Sequence, residues 1–201
     1  MSVLLVVQRR WLFAANVAVA IFVGLPFLAP VLLAAGYDGP ANAIYTAYSL
    51  VCHQWAFRSY FLFGPSATYG PDVLGRLVGQ HAMYGLVGSD DLGYKVAFCE
   101  RDVAIYLSVF LGGLAYGRYR DRLPRLGIVG YGLLILPMAL DGLTQLFGLR
   151  ESTVELRTLT GALFGLASVW LIYPRVDDLF ERDLGPSEPV GTPAAARPQT
   201  A

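Results

Sequence analysis

The sequence predicts an all-α polytopic membrane protein: a helical bundle of about four spans, with a re-entrant or interfacial helix and an extracytoplasmic cap. Three observations lead there. Of the 201 residues, 55% are hydrophobic and only 15% charged, and the mean hydropathy is +0.51, too apolar for an ordinary soluble domain. Several apolar runs are long enough to cross hydrocarbon. The polar residues that interrupt them fall in a few short groups. Formal net charge is zero and no basic stripe is interleaved with aromatics, which excludes nucleic acid as a partner.

The first span covers 11–35, about 25 almost wholly apolar residues; at ~1.5 Å per residue it crosses a ~30 Å hydrocarbon layer. Arg9 and Arg10 precede it as in a signal peptide, but the run is roughly twice the usual h-region. It is expected to be a retained anchor, with Pro26 and Pro30 kinking its outer half. Residues 41–57 are apolar but carry Tyr45, Ser49, Cys52, His53 and Gln54, which favours an interfacial or re-entrant helix over a full span. The outer segment 36–101 holds Gly64-Pro65, Gly70-Pro71 and Ser89-Asp90-Asp91. Val73, Leu74, Leu77 and Val78 have helical spacing within it, so it reads as a structured cap.

Three more spans follow, at about 103–117, 126–147 and 157–173. The first of these is short unless 94–102 extends its helix, and Pro174 marks the end of the last. Together 1–183 make a single membrane domain, and 184–201, rich in Pro, Ala and Thr, is expected to be a disordered cytoplasmic tail. Arg118, Arg120, Arg122 and Arg125 crowd one short loop and assign it to the cytoplasm. Both termini then lie inside, while 58–101 and 149–156 lie outside. Gly161 and Gly165 form a small-xxx-small pair for close packing, within the chain or against another copy or membrane partner.

On this topology the polar groups converge at the outer interface: Cys52-His53-Gln54, Arg58, Cys99-Glu100-Arg101-Asp102, Asp141 with Gln145, Arg150-Glu151-Ser152, and Arg157. Charge near hydrocarbon is costly unless paired or used. Asp141 and Gln145 share a helix face one turn apart. Asp141 is a proton acceptor, a ligand, or the structural partner of Arg150 or Arg157. Ser152-Thr153-Val154-Glu155 matches the capping box, with Ser152 as the cap. Arg150 and Arg157 can hold a carboxylate or phosphate bidentately, or pair with Glu151, Glu155 or Asp141. Cys52 and Cys99 admit three readings: a disulfide, reduced buried thiols, or a site for zinc or another divalent metal completed by His53, His81 or Asp102.

Three functions remain open. The leading one binds the headgroup of a membrane lipid or amphiphile, through Gln54, Arg58, Arg101, Gln145, Arg150, Glu151 and Arg157. A second is a membrane hydrolase or transferase, metal-assisted or not, with Asp141 or His53 as general base; no hydrolase or phosphate-loop motif accompanies them. A third is a structural accessory subunit whose polar belt joins its own helices.

Cys52-His53-Gln54, Arg58-Ser59, Phe98-Cys99-Glu100-Arg101 leading into Ile105-Tyr106, Asp141-Gly142-Leu143-Thr144-Gln145, Gly148 to Ser152, and Leu156-Arg157 with Thr160-Gly161 together resemble a family of small prokaryotic multi-pass membrane proteins catalogued as domain of unknown function 2085. The resemblance covers roughly residues 40 to 170. It implies a polytopic fold in a prokaryotic plasma membrane, and these positions as the polar set, with no established activity. Many members carry Cys-x-Arg-Cys where this chain has Cys99-Glu100-Arg101-Asp102. The carboxylate in the last position weakens a Cys-x-x-Cys redox role and suits a borderline metal better than a soft one.

Overall fold

The computed structural model describes residues 3–184; the expected tail 184–201 lies almost wholly outside them. Seven α-helices and a small sheet follow the order α1 (Val3–Ala34), α2 (Asp38–Tyr48), a 3-10 turn (Ala56–Arg58), β1 (Ser59–Leu62), α3 (Pro71–Val78), α4 (Ala82–Gly85), β2 (Gly88–Ser89), β3 (Gly93–Cys99), α5 (Glu100–Tyr119), α6 (Ile128–Leu146) and α7 (Val154–Leu184). Three stretches are long and apolar enough to cross a membrane: Arg10–Ala34, Ile128–Leu146 and Val154–Phe180. The helix α5 exists where a fourth span was expected, but Glu100, Arg101, Asp102 and Arg118 lower its hydropathy below the other three. It lies chiefly along α7 and α1.

The cap corrects the purely helical expectation. Its strands form an antiparallel sheet in the order β1-β3-β2, with Phe61 opposite Lys95 and Ser89 opposite Gly93. Residues 94–99 therefore extend a strand into α5, not a helix. Val96, Ala97 and Phe98 are all fully buried, because β3 is covered on both faces and shows no polar alternation. Phe98 packs on Phe22 of α1, Tyr48 of α2 and Tyr106 of α5, with ring centroids 5.5, 4.9 and 5.2 Å away. One aromatic cluster thus fastens the sheet to three helices. The helix read from Val73, Leu74, Leu77 and Val78 is α3.

Two further expectations change. The helix expected over 41–57 stops at Tyr48; its 11 residues rise only ~16 Å, about half a hydrocarbon layer. Cys52, His53 and Gln54 lie in the irregular loop beyond it. That loop cannot continue as helix because Gln54 takes a left-handed conformation, φ 54°, rare for a residue with a Cβ. Its conformation is held from three sides. The Gln54 amide donates to the Tyr45 carbonyl at 2.8 Å, the Lys95 ammonium donates to the Gln54 carbonyl, and Tyr45 Oη donates to the Lys95 carbonyl at 2.5 Å.

Pro174 does not end α7, which runs on to Leu184. Near the proline the Arg175 guanidinium donates to the Leu171 carbonyl, one turn back, and Trp170 Nε1 donates to the Pro124 carbonyl at 2.7 Å. Beyond it Asp177 accepts from Trp11 of α1 at 2.8 Å and from Tyr116 of α5 at 2.5 Å, so the added turns are anchored to two other helices. Gly161 and Gly165 pack within the chain. A Cβ at Gly161 would stand 2.8 Å from the Arg101 carbonyl oxygen, and one at Gly165 only 2.4 Å from that of Ile105.

That approach makes Gly165→Val an overpacking change: α5 and α7 must separate, at a cost of about 1–3 kcal/mol. A clear fall in Tm in detergent is expected, and an unchanged Tm contradicts the contact. Lys95 gives a pH test. It is 3% exposed, and burial pushes its ammonium from 10.5 down to about 8. Between those values the unfolded chain holds the proton that the folded chain has released, so this residue's contribution to stability rises with pH. The Tm of the wild type relative to Lys95→Met should therefore climb between pH 8 and 10.5; a flat difference contradicts the burial.

Candidate functional site

The site lies where the cap meets the bundle: the loop after α2, the end of β3, the first turn of α5, the last turns of α6 and the start of α7. Its base is a network of ions. Asp141 on α6 is 1% exposed and receives Arg101 Nη2 of α5 at 2.5 Å and Arg150 Nη2 at 2.7 Å. The Ser152 hydroxyl donates to the same carboxylate at 2.9 Å. A second buried carboxylate, Glu100, also 1% exposed, is paired with Arg157 Nη1 of α7 at 3.0 Å. Glu151 joins the two halves: it accepts from Arg157 at 3.4 Å, Arg58 at 3.2 Å and Gln145 Nε2 at 3.0 Å.

This geometry gives each polar residue its local partners. Ser152 does not cap α7. That role goes to Thr153, whose Oγ1 accepts from the Leu156 amide at 3.3 Å, because Ser152 is turned inward onto Asp141. The alternative in which Arg150 pairs with Asp141 is the one observed, whereas the main partner of Arg157 is Glu100. Asp141 and Gln145 act from one helix face, as their spacing requires: Arg101 reaches both, Gln145 Oε1 at 3.5 Å.

Above the network is a cavity of about 430 Å³, lined by the loop residues Val51 to Trp55, by Arg58, Cys99, Arg101 and Asp102, and by Gln145, Leu146 and Arg157. Nine of the expected residues, Cys52, His53, Gln54, Arg58, Cys99, Arg101, Asp102, Gln145 and Arg157, meet on that one surface. Asp141, Arg150 and Glu151 support it without lining it, and His81 is exposed between α3 and α4, away from it. Gln54 is 6% exposed and its amide is committed to Tyr45, so it shapes the loop.

Three arginines face the cavity with donors to spare. Among the described residues Arg58 and Arg101 bond through Nη2 alone, and the buried Nε of Arg58, Arg101 and Arg157 has no acceptor. A guanidinium carries five N–H groups in a rigid fork, and unmatched donors are costly in a buried setting. Arg58 is oriented by Trp55, over whose ring its guanidinium carbon lies 4.7 Å from the centroid, a cation–π contact. Val51 and Leu146 line the cavity and are exposed, as are their chain neighbours Leu50, Phe147 and Leu149.

Both thiols line the same cavity. Cys52 and Cys99 are free; Cys52 Sγ accepts from the Cys99 amide at 3.3 Å, and Cys99 Sγ donates to Asp102 Oδ2 at 3.1 Å. The proximity of the two sulfurs lowers the pKa of the Cys52 thiol and, together with burial and the Asp102 carboxylate, raises that of Cys99. The His53 ring leans on Trp55, centroids 5.6 Å apart.

Two contributors escaped the sequence reading. Glu100 was visible within the polar set, but nothing local shows that it is the partner of Arg157, since 57 residues separate them. Trp55 stands three residues before Arg58, a spacing that a 3-10 turn brings face to face.

The sequence pattern of the family described as predicted membrane protein, domain of unknown function 2085, matches residues 92–171, which run from β3 through the start and middle of α7. The uncharacterized protein MJ1492 of Methanocaldococcus jannaschii is 35% identical over 134 residues, 65% of this chain and 67% of that protein. No solved structure matches the chain. The matched stretch includes Glu100, Arg101, Asp141, Arg150, Glu151 and Arg157, the charged residues of the network other than Arg58. The chain belongs to this family of predicted membrane proteins.

Proposed function

We propose that the chain crosses a prokaryotic plasma membrane four times, with both termini cytoplasmic, and that its cavity binds the anionic headgroup of a lipid or other amphiphile at the outer interface. The fourth crossing is α5, whose 20 residues rise ~30 Å, the thickness of the hydrocarbon layer. Orientation follows from Arg118, Arg120, Arg122 and Arg125, gathered at the end of the bundle opposite the cavity, since basic loops stay inside.

The observation that carries the binding reading is the set of three arginines lining one cavity, two of which, Arg58 and Arg101, spend only Nη2 on protein acceptors. Phosphate and carboxylate oxygens match that fork bidentately. Leu146, which lines the cavity and is 76% exposed, and its chain neighbour Leu149, 74% exposed, support an amphiphile over a free anion, because acyl chains would cover them. The hydrolase reading loses its first candidate base: the Asp141 carboxylate is committed to two arginines and a serine. His53 stays available at the cavity. The ion contacts also favour the structural reading, in which the network only joins helices.

Native mass spectrometry of the protein in detergent, offered phosphatidylglycerol and phosphatidylethanolamine in equal amounts, separates these. Phosphatidylglycerol should be retained preferentially. Arg58→Gln removes a guanidinium whose one ionic partner, Glu151, is 64% exposed, so the fold persists while retention falls about tenfold, the worth of one charge-assisted hydrogen bond. Equal retention of the two lipids, an unaffected Arg58→Gln variant, or binding of inorganic phosphate without any lipid preference would overturn the proposal.

A further inference from the structure

We propose that Cys52, Cys99 and Asp102 form a binding site for a thiophilic divalent cation of the zinc class, set in the wall of the same cavity. It stands apart from the anion reading, because it uses none of the arginines. The two sulfurs and a carboxylate oxygen of Asp102 lie within 4.8 Å of one another, a spread that closes to a tetrahedral site with small side-chain rotations, given metal–sulfur bonds of ~2.3 Å and metal–oxygen bonds of ~2.0–2.2 Å. Three ligands from three elements converge there: Cys52 from the loop after α2, Cys99 from the end of β3 and Asp102 from the first turn of α5.

The placement of these ligands is fixed before any ion arrives. Cys99 and Asp102 are three residues apart across the strand-to-helix junction and already touch, at 3.1 Å. Cys52 is held two residues before the clamped, left-handed Gln54 and receives the Cys99 amide at 3.3 Å. An N–H aimed at sulfur stabilises thiolate and supplies the outer-shell support that metal ligands usually have. All three residues line the cavity, so a three-ligand site keeps a fourth position open toward it, as in zinc centres that take water or substrate.

Ligand chemistry selects the ion. Two thiolates and one carboxylate suit zinc, whereas magnesium and calcium require all-oxygen sets. Binding releases the two thiol protons to solvent, so the two thiolates cancel the two charges of the cation and the arginine–carboxylate balance is undisturbed.

The test uses cobalt(II) as probe on the full chain in detergent, purified with reductant. One cobalt per chain should bind, with a thiolate-to-cobalt charge-transfer band, tetrahedral d–d absorption and release of protons. Zinc should displace it. Cys99→Ser should abolish the band, and Asp102→Asn should weaken binding by at least about tenfold, while Tm shows that both variants remain folded. A reduced wild-type chain that develops no charge-transfer band overturns the proposal. So does a band that survives Cys99→Ser, or a Cys52–Cys99 disulfide that persists under reductant and removes both sulfur ligands.

Discussion

Two carboxylates that are almost wholly removed from solvent, Asp141 and Glu100, set the terms for the rest of this molecule. An ionised carboxylate with 1% exposure is tolerable only with a cation in direct contact. The chain supplies Arg101 and Arg150 to one and Arg157 to the other. Because those five residues belong to α5, α6, the α6–α7 turn and α7, satisfying the charges fixes three helix ends against one another. Two of these arginines, Arg101 and Arg157, also line the cavity, so the chemistry of the site follows from the way the bundle is closed.

The cap completes the cavity from the other side. Phe98 ties β3 to α1, α2 and α5, while Tyr45, Gln54 and Lys95 hold the loop that carries Cys52 and His53. Lys95 is a buried amine whose visible role is to hold the Gln54 carbonyl. Removing its charge from water is costly, and that cost supports a loop geometry which local propensity would not produce. The cavity thus joins Arg101 and Arg157 of the helices to Arg58 and the two thiols of the cap.

Much of this was legible in the sequence because apolar length and costly polar residues are strong signals in a membrane protein. The candidate spans at the two ends of the chain and the convergence of Cys52, Cys99, Arg101, Gln145 and Arg157 followed from them, and the helix at Val73 to Val78 from the helical spacing of its apolar residues. Strand β3 did not, since Val96, Ala97 and Phe98 are buried on both faces and no period of two survives. The end of α7 was misplaced because Pro174 breaks a helix only when its surroundings offer nothing in return, and here Asp177 and Arg175 make contacts across it. Ser152 and Thr153 are adjacent and chemically alike; which one caps is decided by Asp141, eleven residues away. Glu100 could be seen, but its partner could not.

The central claim is that the buried carboxylates are ionised and paired. Infrared difference spectra of the wild type against Asp141→Asn and against Glu100→Gln at neutral pH test it most directly, because the carbonyl stretch of a protonated carboxyl group is separate from the bands of a carboxylate. Each substitution is predicted to remove carboxylate bands and leave the protonated-carboxyl region unchanged. Loss of a protonated-carboxyl band in either variant would mean that the buried group is neutral, and that the arginines around the cavity are held by something other than charge.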